Sequence, residues 1–159
     1  MALKSDRYEA QTDISFFYNA GTATRGGVVV LDAANASGAA LDQGVNLVKY
    51  ATVTANSVPV GILLNDVVNK DLTRTHMNWY KDEVQKGGKV TVLTQGWVLT
   101  SNVDGDPTPG QVAYASSGVA GNLTAVSAVG AAHAVGRFMS NKDADGYAKV
   151  FINLPNFGG

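Results

Sequence analysis

The stretch Lys89-Val90-Thr91-Val92-Leu93-Thr94-Gln95-Gly96-Trp97-Val98-Leu99-Thr100-Ser101 decides the fold class. Val90 and Val92 alternate with Thr91 and Leu93 at a period near two, and such residues suit a pleated, half-buried surface. The stretch reads as two strands, Lys89 to Leu93 and Trp97 to Ser101, with Gln95-Gly96 between or beside them. Upstream, Gly27 to Leu31, Val45 to Tyr50 and Val58 to Leu64 have the same character. Pro59 has no N–H to donate, so it belongs at a strand start or on a sheet edge. Downstream, the turn-rich run Asp104-Gly105-Asp106-Pro107-Thr108-Pro109-Gly110 precedes a short strand from Gln111 to Ala115. Gly121-Asn122 reads as a hairpin tip before Leu123 to Ala128, and strands Ala134 to Met139 and Tyr147 to Leu154 follow. In the last of these, Val150, Ile152 and Leu154 face one way while Lys149, Phe151 and Asn153 face the other.

Helical periodicity is confined to Asp71 to Lys86, where Leu72, His76 and Trp79 are near helical spacing but Thr73, Thr75 and Asn78 form helices poorly. That segment is expected to be a short helix or an ordered loop. Many short strands with regular turn signals predict an all-β chain: one compact β-barrel or sandwich over residues 26–159. The 159-residue length fits one domain. Residues 1–25 stand apart, without Pro and with Tyr8, Phe16, Phe17 and Tyr18, and read either as an N-terminal edge strand or as an extended arm anchored on another subunit. Residues Pro107 to Gly136 contain no Asp, Glu, Lys or Arg, which fits a buried strand pair or a protein–protein contact.

Charge narrows the function. Twelve Lys and Arg against thirteen Asp and Glu leave a formal charge of −1, unlike the basic surplus of a nucleic-acid binder. The N-terminal residues run into polar positions where a signal peptide would be apolar, and the longest apolar stretch, Val58 to Val68, is too short to span a bilayer; a soluble chain is expected.

Equipment for bond-making chemistry is sparse. With no cysteine, thiolate nucleophiles and Cys-ligated zinc are excluded. Of the two histidines, His133 lies in an apolar run and is expected to be hydrogen-bonded or on an edge strand, and His76 to be solvated or at an interface. No Gly-x-Ser-x-Gly elbow or Walker pattern is present, and Gly87-Gly88-Lys89 opens a strand rather than a helix. Asn141-x-Asp143-x-Asp145-Gly146 matches the first half of a calcium loop, but the twelfth position is Ile152 where a bidentate Glu belongs, so a turn between strands is the better account. Asp104 and Asp106 are expected to face solvent in a turn, not to form a glycosidase pair. The sequence offers no catalytic residue, cofactor site or metal site. A rival reading is a carbohydrate-binding β-sandwich with Trp79, Trp97 and Tyr114 as stacking platforms, although Trp97 is expected to pack in the core.

From residue 58 to residue 154 the order of elements resembles the head-decoration (cement) proteins of tailed bacteriophages. The resemblance is carried by Val58-Pro59-Val60-Gly61-Ile62-Leu63, the segment Asp71-Leu72-Thr73 through Trp79-Tyr80-Lys81-Asp82-Glu83, Val90 to Val98, Pro107 to Tyr114, Ala134-Val135-Gly136-Arg137-Phe138 and Val150 to Leu154. It implies a β-barrel or β-tulip domain that binds the outside of the assembled head and clamps neighbouring subunits of the major capsid protein, as a homotrimer. No enzymatic activity, nucleic acid or membrane is implied. The protein would be made in the host cytoplasm and end on the virion. Tyr8, Phe16, Phe17 and Tyr18 in the arm, with Trp79 and Tyr80, are the expected contacts, and removing residues 1–18 is expected to abolish binding while leaving the barrel folded.

Overall fold

The computed structural model describes residues 2–32, 46–54, 56–66, 83–127 and 133–155. At its centre lies one long strand where the sequence suggested two. Val90–Thr100 is continuous through Gly96, whose φ of +143° lies outside the range ordinary side chains adopt. A glycine there also lets a neighbouring strand approach, since a Cβ on Gly96 would lie 1.9 Å from the Tyr8 carbonyl oxygen.

In chain order the strands are β1 (Tyr8–Asp13), β2 (Phe17–Tyr18), β3 (Ala23–Thr24), β4 (Val28–Leu31), β5 (Leu47–Lys49), β6 (Pro59–Asp66), β7 (Glu83–Val84), β8 (Val90–Thr100), β9 (Val103–Asp104), β10 (Val112–Ala115), β11 (Leu123–Thr124), β12 (Ala134–Phe138) and β13 (Ala148–Asn153). Eleven of them form one sheet in the order β2-β5-β4-β6-β8-β13-β12-β10-β11-β9, with β1 also on β8; β3 and β7 pair separately. The all-β domain expected from the sequence is what the chain forms. The sheet is open among the described residues, since β2 and β9 end its path without pairing with each other. Pro59 is the first residue of β6, as its missing donor requires. Asp71 to Asp82 of the expected helix or loop lie outside the described residues. Its end is no helix: Glu83–Val84 is a strand because Val84 is fully buried, and Gly87 turns the chain with φ +85°.

The pairings of β8 fix the layout. Val92 and Leu93 pair with both β6 and β1, while Gln95, Gly96 and Trp97 pair with both β13 and β1. A strand has two edges. Hence β6 and β13 lie end to end along one edge, and β1 occupies the other. The two wings that continue from β6 and β13 diverge, and they share a core. Val28, Val30, Ile62 and Leu64 of one wing pack in the same cluster as Val135, Phe138, Val150 and Ile152 of the other. A second cluster, with Tyr18, Val29, Leu63, Val84 and Val92, covers the opposite face of the first wing. This is why β4 and β6 read as unbroken apolar runs: both of their faces are buried, each side chain adding roughly 1.5–3 kcal/mol. In contrast β13 alternates, with Ala148, Val150 and Ile152 buried and Phe151 and Asn153 exposed.

The uncharged stretch 107–136 divides between these environments. Ala113, Ala115, Leu123 and Val135 enter the core, while Val119 and Val126 are exposed. His133 departs from the expectation of a hydrogen-bonded or edge histidine: it is buried, and neither ring nitrogen has a partner among the described residues.

The first residues form a strap, held at both ends. Leu3 is buried and bridges Thr100, Phe17 bridges Lys89, and between them every residue of β1 is exposed or nearly so. Phe17 and Tyr18 are buried, and Tyr18 meets the Tyr50 ring edge-on at 5.9 Å. Burial pushes the Tyr18 and Tyr50 phenols up from their ordinary values, and the Tyr50 hydroxyl accepts from the Gly27 N–H and donates to the Thr24 carbonyl. Near the start of the strap the Lys4 ammonium donates to Asp143 at 3.0 Å and lies 4.3 Å from the centre of the Tyr147 ring. The backbone N–H of Tyr147 and, after it, Lys4 hold the Asp143 carboxyl below its ordinary range.

Two predictions follow from the strap. Gly96→Ala should cost about 2 kcal/mol or more, several degrees of Tm, through both φ and the β1 contact. Gly105→Ala, also at positive φ but with nothing within 4 Å, should cost only about 1 kcal/mol, and paired thermal melts check the difference. For Asp143, a carboxyl depressed in the folded state stabilises above its unfolded value of 3.8, and that contribution is lost as pH falls through the lower folded value. Asp143→Asn should therefore lower Tm at neutral pH, with the gap from wild type closing in strong acid.

Candidate functional site

The carboxylates that resembled catalytic or metal-binding equipment have structural assignments, and His76 lies outside the described residues. Asp104, expected to face solvent, sits half-buried in β9 and accepts from the Ser116 hydroxyl and from the Asn122 amide, tying together the loops around β10 and β11. Asp106 is exposed. Asp143 accepts from the Asp145 and Tyr147 N–H groups in addition to Lys4, the pattern of an Asx turn with a cation already on the carboxylate. Among the described residues no group of three or more His, Asp or Glu side chains could hold a metal ion.

What stands out is a sheet face left uncovered among the described residues. The face of β8, β13 and β12 opposite the shared core carries a cross-strand row: Tyr8 opposes Trp97, Trp97 opposes Phe151, and Phe151 opposes Arg137. Directly opposed residues project from the same face, so the row is continuous. Tyr8 is 57% exposed and Phe151 43%, and Trp97 is half-buried. Beside it runs a polar row, Gln11 opposing Gln95 and Gln95 opposing Asn153. Lys149 lies on the other side, opposing Leu99, with its ammonium 3.9 Å from the Trp97 ring centre. Arg137 donates to the Gly110 carbonyl and lines, with Ala134, Gly136, Phe151, Asn153 and Pro155, a shallow hollow of about 430 Å³. A second hollow of about 330 Å³ lies near the far end of the strap and is apolar, lined by Phe16, Leu31, Val58, Pro59 and Val60 among others.

The expected contact residues fall in three places. Tyr8 is in the exposed row and Phe16 lines the apolar hollow. Phe17 and Tyr18 are packed inside, Phe17 under the Lys89 ammonium at 5.7 Å. Trp79 and Tyr80 lie outside the described residues. Trp97 departs from the core position expected of it: the alternation of β8 puts Val98 in the core and Trp97 on the outer face. As a sugar platform it is compromised, because Lys149 already covers one side of the indole. Sequence reasoning missed Phe151, Lys149 and Arg137 as surface determinants. The alternation in β13 placed Lys149 and Phe151 together, but the register that adds Trp97, Arg137 and Tyr8 is a property of the tertiary fold.

The comparisons with known proteins agree with a structural rather than catalytic surface. No curated protein sequence matches the chain. Residues 8–153 match the family model described as structural cement protein (E217 gp24/Pam3 gp6). With that match spanning all thirteen strands from β1 to β13, the chain belongs to the phage structural cement protein family.

Proposed function

We propose that this cement protein binds the outside of the assembled phage head as a homotrimer and clamps neighbouring subunits of the major capsid protein, with no enzymatic role. The observation that carries the reading is the uncovered row Tyr8–Trp97–Phe151–Arg137. Its composition is that of an interface centre, where Tyr, Trp, Phe and Arg are enriched and carboxylates depleted. The row stands on the rigid β8–β13–β12 ladder, so little conformational freedom is lost on docking. Phe16 and the apolar hollow beside it extend the contact surface to the strap's other end.

The physics of cementing is mass action. A ligand that binds only the assembled shell stabilises it by RT ln(1 + [L]/Kd), and a trimer meeting several subunits gains further because its later contacts form at high effective concentration. The protein would be made in the host cytoplasm and act on the virion surface, with neither nucleic acid nor membrane as a partner.

Heads purified without cement and mixed with the recombinant protein test this reading. Cosedimentation should show saturable binding, cryo-EM should show density on the outer surface, and the decorated heads should melt at higher temperature. Phe151→Asp, which leaves the core untouched, should weaken binding on the order of tenfold or more, as expected for a central aromatic anchor. Unweakened binding by that variant would remove this face from the contact. Removal of residues 1–18 is a poorer probe, because it also strips Phe17 and Tyr18 from the core and bares one edge of β8; it should lower Tm markedly.

A further inference from the structure

Charge around Phe151 is one-sided, while the carboxylate of Asp13, opposing Val92, stands at the far end of the strap beside the apolar hollow. The side chains that share the outer face around the aromatic row, Gln95, Leu99, Lys149, Asn153 and Arg137, include two cations and no carboxylate. Three other cations are neutralised within the chain, Lys4 by Asp143, Arg7 by Glu9 and Lys49 by Asp32, while Lys89 rests over the Phe17 ring. Lys149 and Arg137 have no carboxylate partner among the described residues. Lys149 rests on the Trp97 indole, and Arg137 uses its guanidinium on the Gly110 carbonyl. A guanidinium has five N–H donors and an ammonium three, so both keep donors directed outward. In a protein of net charge −1, two uncompensated cations flanking Phe151 are a local feature, not part of a basic surface.

Resting on the capsid-contact reading above, we infer that the partner segment seated on this face is a carboxylate-bearing strand or loop of the major capsid protein, with Asp or Glu side chains received by Arg137 and Lys149 on either side of an apolar contact with Phe151 and Trp97. Arg137 offers the planar fork that accepts a carboxylate through two parallel hydrogen bonds, and Lys149 offers a point charge held in place by the indole. Polyanionic nucleic acid is a poorer occupant, because two isolated cations neutralise too few phosphates to bind it. The pair would set orientation and association rate, while the aromatic row supplies most of the buried area.

Binding to cement-free heads, measured between about 50 and 500 mM NaCl, reads this directly, because screening acts on the charge pairs and not on the apolar contact. The double variant Arg137→Gln/Lys149→Gln should bind roughly tenfold more weakly at low salt and lose most of the salt dependence. Phe151→Ala should weaken binding with the salt dependence kept, and Lys149→Arg should bind as wild type. A carbodiimide, which joins an amine to a carboxylate without a spacer, should cross-link Lys149 to an Asp or Glu of the capsid protein, located by mass spectrometry. Salt-independent wild-type binding, or equal binding by the double variant, would overturn the inference and leave the capsid reading standing. Wild-type protein that fails to bind heads at any salt would overturn both.

Discussion

Both edges of β8 are occupied along its length, and the rest of the molecule follows from how they are filled. A strand offers one row of N–H and C=O groups to each side, and each buried group left unpaired is costly. On one side the strap supplies the partners, from Leu3 at Thr100 to Phe17 at Lys89. On the other, β6 serves Val90 to Leu93 and β13 serves Gln95 to Thr100. Two strands sharing one edge cannot run on as a single flat layer, so the wings separate and enclose the apolar cluster between them. The changeover from β6 to β13 falls between Leu93 and Gln95, next to Gly96, whose positive φ and missing Cβ let β1 pass in contact with it.

This arrangement explains which surfaces are left bare. The first wing is covered on both faces, by the shared core and by the cluster around Tyr18 and Val84. Among the described residues the second wing has a core on one face only, and on the other Phe151 is exposed and Trp97 half-buried with Lys149 over its ring. A sheet face with that much aromatic area is costly to keep in water unless something binds there. The strap adds to the same surface through Tyr8, while the residues of β1 between its buried ends contribute almost nothing to the core. Its attachment rests on backbone pairing, the Lys4–Asp143 contact and two buried ends.

Local pattern made much of the fold legible. Alternation in Ala148–Asn153, the unbroken apolar runs in β4 and β6, Pro59 at a strand start and the Asp143 turn are all written in the neighbouring residues. What was not legible depends on partners distant in sequence. Gly96 looked like a break between two strands because nothing nearby shows that β1 passes within contact of it. Trp97 looked like core because its half of β8 is apolar, and only the β13 register shows which face is covered. Phe17 and Tyr18 looked like anchors for another subunit because what buries them is distant in sequence: Tyr18 packs with Val48, Tyr50 and Val84, and Phe17 pairs with Leu47 and bridges Lys89. Asp104 looked solvated because its donors come from Ser116 and Asn122.

The same distinction bears on function. A catalytic site announces itself by residue types, since nucleophiles, bases and ligands form a short list. A docking face is made of ordinary side chains whose meaning comes from being coplanar and uncovered. In this chain Tyr8, Trp97, Arg137 and Phe151 span more than 140 positions of sequence, and only the β1–β8, β8–β13 and β13–β12 ladders together bring them into one row. Function as an adhesive therefore needs little from the residues themselves and a great deal from register. A one-residue slip of β13 against β8 would turn Phe151 and Lys149 inward and Val150 and Ile152 to solvent, losing the core and the docking face together. The burial of Val150 and Ile152 that stabilises the domain is thus also what fixes the orientation of the surface offered to a partner.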